Sequence, residues 1–342
     1  MTRNKLIAAL SAFLLLAGVL SAQSLDIPSH SWGLSFGNSK NFAGLRFNYR
    51  DRGVERVRGI NVTLWQPYEK DTNDSVIEGL SLGLIPGGGT LRGVQIGLLG
   101  VAGIKDIRGV SFGLLGVGTG GSLVGINVGG LGAGAGGNIA GINIGGLGMG
   151  AGGNVSGISI GGLGLGAGGN LSGLNIGGLG LGASENISGI SIGGLGLGAG
   201  KNLSGLNIAG LGLGAGGKVS GLTIGGIAVG AGEVLGGISI AGVAVGSKEI
   251  RGLAFAGAVV GAKMIKGIVS AGGCTLIADG GELRGGAVAP VNWIKGTQTG
   301  VVVGIVNYAW SLKGVQIGLV NIVRDNPSGR KVLPLVALRP SL

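Results

Sequence analysis

The middle of the chain repeats itself every 16 residues, and this period constrains the fold more than any other feature. Starting at Gly125, six units follow one another, among them GINIGGLGMGAGGNVS and GLNIGGLGLGASENIS. Looser copies extend upstream to Gly44 and downstream to Gly314, which gives about 18 units in all. A chain built from short units that contact mainly their neighbours is typical of solenoids.

Each unit carries aliphatic residues at positions 2, 4, 7, 9 and 15, where position 1 is the glycine that opens the unit. A spacing of two predicts a β-strand with one buried face. The step of three between positions 4 and 7 coincides with a glycine pair, which favours a bend. We therefore expect two short strands per unit, with the aliphatic side chains buried. In one unit these side chains are Leu174, Ile176, Leu179, Leu181 and Ile187.

Identical residues recur at equivalent positions: asparagine at position 14, serine at position 16 and isoleucine at position 4. If each unit is one coil of a parallel solenoid, such residues stack about 4.8 Å apart as ladders. The sequence therefore predicts an all-β, tandem-repeat β-solenoid with coils of about 16 residues. Position 3 is expected to form an outward polar ladder that solvates a sheet face, or that binds glycan or ice. Its members are Asn127, Asn143, Ser159, Asn175, Ser191 and Asn207.

An antiparallel outer-membrane β-barrel of about 18 strands is the alternative architecture. The segment around Leu45, Phe47 and Tyr49, alternating with polar residues, resembles a membrane strand. The middle of the chain, however, has few polar residues to line a lumen, and the phase change would require a bulge in every strand. A helical glycine zipper is disfavoured because each interior glycine costs a helix about 1 kcal/mol.

The first residues have the layout of a secretory signal peptide, with Arg3 and Lys5 preceding the apolar run from Leu6 to Leu20. We predict residues 1–22 as the signal peptide, cleaved after Ala22. The other predicted segments are an N-terminal cap with a first divergent repeat (23–58), divergent repeats (59–124), regular glycine-rich repeats (125–251), divergent repeats (252–323) and a C-terminal cap (324–342).

Residues for chemistry are scarce. The single histidine, His30, and the single cysteine, Cys274, exclude a disulfide framework and a His/Cys metal site. No phosphate-binding loop of the form GxxxxGK[ST] is present. We therefore predict no catalytic, cofactor-binding or metal-binding residues, no cofactor and no enzymatic activity. A carbohydrate-active solenoid enzyme would require Asp279 and Glu282, beside Arg284, to converge in a cleft.

The formal net charge is +11, but no charged side chain occurs from Gly109 to Ser184. Charges concentrate toward the two ends, which disfavours a nucleic-acid-binding stripe. The charged segment from Arg46 to Arg58 is expected to cap one end of the repeat. Arg324, Asp325, Arg330, Lys331 and Arg339 are expected to cap the other. So little charge in the middle favours self-association.

Two outer units, GVQIGLLG at 93–100 and GVQIGLVN at 314–321, resemble the bacterial surface-repeat family first described in spirochaetes. The segment NPSGRKVLPLVALR at 326–339 is similar to the closing segment of that family. The resemblance implies export to the outer membrane or cell surface of a Gram-negative-type bacterium, with the periplasm as the alternative. We expect a non-enzymatic envelope protein with a structural or adhesin-like role, partnered by the cell envelope and by itself. An integral outer-membrane barrel with a structural or pore role is the alternative function.

Overall fold

A computed structural model describes residues 24–67 and 74–339, and these residues are organised as a β-solenoid of about 17 turns. Strand makes up 75% of the described residues. The chain divides into two compact units, Met1–Gly162 and Leu163–Leu342, each built from stacked coils. The predicted signal peptide lies outside the described residues.

The first unit contains fifteen strands in the described part of the chain. They are β1 (Ser24–Ser29), β2 (Trp32–Gly37), β3 (Asn41–Arg50), β4 (Arg56–Trp65), β5 (Val76–Gly83), β6 (Gly87–Gly88), β7 (Thr90–Gly97), β8 (Gly100–Gly103), β9 (Ile107–Gly113), β10 (Gly116–Thr119), β11 (Leu123–Gly129), β12 (Gly132–Ala135), β13 (Ile139–Gly145), β14 (Gly148–Ala151) and β15 (Val155–Gly161).

The second unit begins with alternating strands of seven or eight and four residues, and continues with longer strands. They are β16 (Gly164–Ala167), β17 (Leu171–Gly177), β18 (Gly180–Ala183), β19 (Ile187–Gly193), β20 (Gly196–Ala199), β21 (Leu203–Ala209), β22 (Gly212–Ala215), β23 (Lys218–Gly225), β24 (Ala228–Ala241), β25 (Ala244–Ala256), β26 (Val259–Ala271), β27 (Cys274–Val288), β28 (Val291–Val303), β29 (Val306–Val323) and β30 (Val332–Arg339).

Strand pairing confirms the solenoid. Strand β17 pairs with β19 in parallel, and Leu171 lies beside Ile187, one unit further along the chain. Strand β18 pairs with β20 in the same way. An antiparallel barrel requires consecutive strands to pair in opposite directions, so the alternative architecture is wrong. Antiparallel pairs occur at the two ends of the described chain, where β1 covers β2 and β30 covers β29.

Each regular coil contains the two predicted strands and the predicted bend at the glycine pair. In one coil, β17 ends at Gly177 and β18 begins at Gly180. A β-carbon on Gly177 would lie 2.1 Å from the carbonyl oxygen of Gly180, across the same coil. The coil is therefore too narrow at Gly177 to hold a side chain. Glycine occupies position 5 in most regular coils, and alanine occupies it in later coils, where it is buried at Ala209, Ala241 and Ala256.

The narrow coil reverses part of the predicted burial. Leu181 at position 9 and Ile187 at position 15 are buried, as expected. Leu174 and Ile176, at positions 2 and 4, are only half-buried, and Leu179 at position 7 is 50% exposed. Successive side chains of a strand point to opposite faces, and the side chain at position 15 points inward. Counting on from position 15, positions 2 and 4 point outward and position 3 points inward. The prediction that all five aliphatic positions are buried was therefore wrong for three of them.

The polar ladder at position 3 is buried, and its predicted outward orientation was wrong. All six of its members have no exposed surface, and they share the interior with alanine at position 11 and with the aliphatic residues at positions 9 and 15. The interpretation as a glycan-binding or ice-binding surface fails for the same reason. By contrast, the predicted asparagine ladder at position 14 is confirmed: the Nδ2 of Asn186 donates to the Oδ1 of Asn170, and Asn202 donates to Asn186, both at 2.9 Å.

Glycine at position 1 is required by the backbone, whereas glycine at position 8 is not. Gly189 has a φ of +100°, and a β-carbon there would lie 2.3 Å from the carbonyl oxygen of Gly173. A β-carbon on Gly180 would meet nothing within 4 Å.

Replacing Gly189 with alanine is therefore expected to destabilise the protein by about 1–3 kcal/mol, because alanine is strained at this φ and contacts the preceding coil. The matched variant Gly180→Ala should unfold at the wild-type denaturant concentration or above it. Urea unfolding followed by circular dichroism measures both variants. Equal unfolding midpoints for the two variants would contradict the corner geometry.

Candidate functional site

The interior polar column is hydrogen-bonded where two asparagines follow each other, or where a serine follows the longer glutamine. In the first unit, Ser111 donates to the Oε1 of Gln95, and the Nδ2 of Asn127 donates to the Oδ1 of Asn143, each at 2.8 Å. In the second unit, Ser191 lies between Asn175 and Asn207 in register. The polar side-chain atoms of these three residues have no direct partner among the described residues. A serine is too short to continue the amide ladder.

A buried ion pair forms part of this column in the first unit, between Ser35 and Asn61 in register. Arg46 occupies the inward position of β3, and its guanidinium donates to Asp51 at 2.8 Å and to Asn61 at 2.9 Å. Neither charged side chain of the pair is more than 1% exposed. Asn48 donates to the same Asp51 oxygen at 2.7 Å. The predicted N-terminal cap therefore places part of its charge inside the coil rather than on its surface.

Removal of the Asp51 carboxylate leaves a buried guanidinium without its counter-ion. We expect Asp51→Ala to destabilise the first unit by about 3–5 kcal/mol. The control variant Asp74→Asn removes a carboxylate that is 91% exposed and pairs with Lys105, and it should leave the unfolding midpoint unchanged. Urea unfolding monitored by tryptophan fluorescence makes the comparison. An Asp51→Ala midpoint equal to that of the control would show that the pair has no structural role.

Charged residues form a border at positions 14 and 16 in the outer coils of both units. In the first unit, Glu78 accepts hydrogen bonds from Arg56, Arg58 and Arg92, at 3.0–3.2 Å. In the second unit, both side-chain oxygens of Glu249 accept from Arg251, at 2.9 Å, and Lys266 lies 3.0 Å from one of them. These two cations lower the pKa of Glu249 to about 2. Arginine donors likewise lower the pKa of Glu78.

A carboxyl group whose pKa is lower in the folded state than in the unfolded state stabilises the folded protein. This contribution is complete at pH values above the pKa that the group has in the unfolded state. For Glu249, that contribution is complete above about pH 4.5 and is lost as the pH falls toward about 2. We expect the wild-type urea midpoint to fall over this pH range, and to fall less steeply in Glu249→Gln. The control variant Asp279→Asn removes a carboxylate that is 84% exposed. Its urea midpoint should fall with pH as steeply as that of the wild type. Parallel wild-type and Glu249→Gln curves would contradict this assignment.

The outward residues of positions 2 and 4 form an apolar face that carries no charged side chain in either unit. Within each unit the members of a column lie beside one another in parallel register. In the first unit the face consists of Leu45, Ile60, Leu80, Val94, Val110, Ile126, Ile142 and Ile158 at position 2, and Phe47, Val62, Leu82, Ile96, Phe112, Val128, Ile144 and Ile160 at position 4.

The apolar face of the second unit has the same character. Gly286 and Ser270 interrupt its columns, and both are uncharged. The face consists of Leu174, Ile190, Leu206, Leu222, Ile238, Leu253, Ile268, Val301 and Val315 at position 2, and Ile176, Ile192, Ile208, Ile224, Ile240, Phe255, Val288, Val303 and Ile317 at position 4.

A second apolar stripe, which we call the leucine edge, follows the bend at position 7. In the second unit its side chains are 46–50% exposed. They are Leu163, Leu179, Leu195, Leu211, Ile227 and Val243. Beyond this edge the outward positions 8 and 10 are glycines, and a β-carbon on Gly180, Gly198 or Gly212 would meet nothing within 4 Å. The coil therefore presents large apolar side chains on one strand and bare backbone on the next.

The residues considered for chemistry do not form a common site in the described chain. The Asp279 carboxylate lies 3.5 Å from Lys295, whereas Glu282 pairs with Arg284 at 2.7 Å. Cys274 is a free, half-buried thiol at the start of β27, and the exposed His30 lies 3.3 Å from Asp26. Across residues 24–67 and 74–339, no group of three or more His, Cys, Asp or Glu side chains is arranged to hold a metal ion.

Among the described residues there is no helix of the length and apolar character needed to cross a membrane.

The apolar face is the feature that burial-based sequence reasoning missed. Aliphatic residues at positions 2 and 4 suggest a core when each strand is considered alone. The outer units gave a misleading signal. They carry Arg46, Gln95 and Gln316 at position 3, which are residues expected on a solvated face, yet all three are buried.

Comparison with known proteins adds no assignment, because no family model, curated protein or solved structure matches the chain.

Proposed function

We propose that the protein is a non-enzymatic repeat protein of a bacterial cell envelope, in which the solenoid acts as a scaffold that presents an extended surface. The observation that carries this proposal is the charge-free apolar face, which continues from coil to coil within each unit. A solenoid coil repeats every outward side chain at the strand spacing of about 4.8 Å, so it displays one chemical pattern over a long surface. Such a surface suits binding to another extended surface better than binding a small molecule.

The distribution of charge supports a non-enzymatic role. Catalysis by a solenoid on polysaccharide requires carboxylates that flank the bond to be cleaved. Here Asp279 and Glu282 are each engaged by a different cation, Lys295 and Arg284. The carboxylates of the charged borders, such as Glu249 and Glu78, are likewise held by arginine or lysine. Their chemistry is that of ion pairs between neighbouring coils.

The envelope location in this proposal rests on sequence patterns. The positive residues and apolar run within residues 1–22 have the layout of a signal for export. The terminal unit GVQIGLVN and the segment that follows it resemble a bacterial surface-repeat family. Both patterns support a location outside the cytoplasm.

Expression in a Gram-negative host followed by fractionation tests the location. We expect the chain to be recovered in the envelope fraction with residues 1–22 removed, as measured by intact mass. The double variant Leu14→Arg/Leu15→Arg interrupts the apolar run and should leave an uncleaved chain in the cytoplasm. The matched variant Leu14→Val/Leu15→Val keeps the run apolar and should be processed normally. Wild-type chain with residues 1–22 intact in the cytoplasm would refute the envelope role.

A further inference from the structure

We propose that the apolar face of the second unit is a self-association surface, on which a second copy of the chain packs sheet against sheet. This inference deepens the proposed scaffold function by naming the partner of its surface. The first argument is area. A whole aliphatic side chain offers roughly 60–120 Å² of apolar surface, so the eighteen members of the face, about a third to a half exposed, leave on the order of 400–900 Å² in water.

That area is comparable with what a stable protein interface requires. Specific complexes bury about 800 Å² on each partner. The largest apolar patch on a typical monomer is about 300–600 Å². The face lies at the upper end of the monomer range and reaches the size of a dimer interface, so leaving it in water is energetically unfavourable.

The absence of charge on the apolar face favours a second copy of the chain as its partner. The chain carries a formal net charge of +11, so two copies repel each other wherever their charged surfaces approach. The apolar face has no charged member, and Glu249 and Glu282 partly balance the cations that border it in the later coils. Two copies can therefore approach through this face at the smallest electrostatic cost.

The geometry of the face also fits a copy of itself. Its columns consist largely of β-branched isoleucine and valine, in register at the strand spacing. Packed sheets lie about 10 Å apart, and their facing side chains interdigitate when the two periods match. Two copies of one solenoid have equal periods along their whole contact. A two-fold arrangement would use the same patch on both chains and would leave no open end.

A lipid bilayer is the competing partner, and the border of the face argues against it. Surfaces that lie on membranes carry lysine and arginine beside their apolar residues, which contact anionic headgroups. In the coils around Leu174, Ile190 and Leu206, position 16 is serine. In the later coils position 16 carries Arg251, Lys266, Arg284 and Lys313, and the first three of these cations pair with Glu249 or Glu282. The face therefore lacks a cationic border where it is most regular, and most of the cations that border it elsewhere are ion-paired.

Sedimentation velocity of the full chain, purified after export, tests the proposal over a wide range of protein concentration. We expect a concentration-dependent dimer. The variant Ile190→Lys/Leu222→Lys places two charges on the face and should weaken dimerisation at least tenfold. The control Gly180→Lys/Gly212→Lys adds the same charges at outward positions with free space, and it should dimerise as the wild type does.

A milder variant, Ile190→Thr/Leu222→Thr, keeps β-branching at one site and introduces no charge, so it separates loss of the interface from loss of the fold. It should retain the wild-type circular dichroism spectrum and dimerise more weakly. A wild type that stays monomeric at every concentration would overturn the proposal, as would a control variant that loses the dimer while the face variant keeps it.

Flotation with vesicles of phosphatidylethanolamine and phosphatidylglycerol tests whether the partner of the face is a membrane rather than a second copy of the chain. Wild-type chain that floats with vesicles, and that loses this binding in Ile190→Lys/Leu222→Lys without ever dimerising, would assign the face to lipid and overturn the proposal. Failure of dimerisation leaves the processing and fractionation results unaffected, so the two proposals fail separately.

Discussion

The close approach of backbone to backbone inside each coil is the constraint on which the rest of the structure depends. At position 5 the two strands of a coil lie so near each other that a β-carbon on Gly129 would come within 1.8 Å of the Gly132 carbonyl oxygen. Position 1 makes a similar approach to the preceding coil and adds a positive φ. Glycine at position 1, and glycine or alanine at position 5, meet these requirements in the regular coils. The coil is therefore thin, and its interior holds only a few side chains.

A thin interior determines what is buried and what is exposed. Each regular coil buries one aliphatic residue at position 15, one at position 9, a small residue at position 11 and a polar residue at position 3. In some coils the amide of the next coil supplies a hydrogen bond to this polar residue, as where Asn127 donates to Asn143. Where serine alternates with asparagine, as at Ser191, the buried polar atoms have no direct partner among the described residues. Ordinary burial would place the isoleucines inside, but the coil has no room for them. They form the outer surface instead.

The period, the parallel stacking, the bend and the asparagine ladder could all be predicted from the sequence, because each depends on spacing alone. The direction in which each side chain points could not, because it depends on the width of the coil. Counting Ile176 and Leu179 as core residues assumed that apolar residues lie inside, whereas the glycine at position 5 was the sign of a narrow interior.

The buried pair of Arg46 and Asp51 was missed for a related reason, because charged residues were expected to be exposed. Asp279 and Glu282 pair with separate cations, Lys295 and Arg284, which spacing does not reveal.

The central claim is that position 3 faces inward while position 2 faces outward, and thiol labelling tests it directly. In a Cys274→Ser background, Ile190→Cys and Ser191→Cys place single cysteines at adjacent residues that are 43% and 0% exposed. Labelling with a maleimide is followed by mass spectrometry, at a concentration where the chain is monomeric. The structure predicts rapid labelling at residue 190 and protection at residue 191 until the protein is unfolded. Rapid labelling at 191 with protection at 190 would contradict the account and would place the isoleucines in the core.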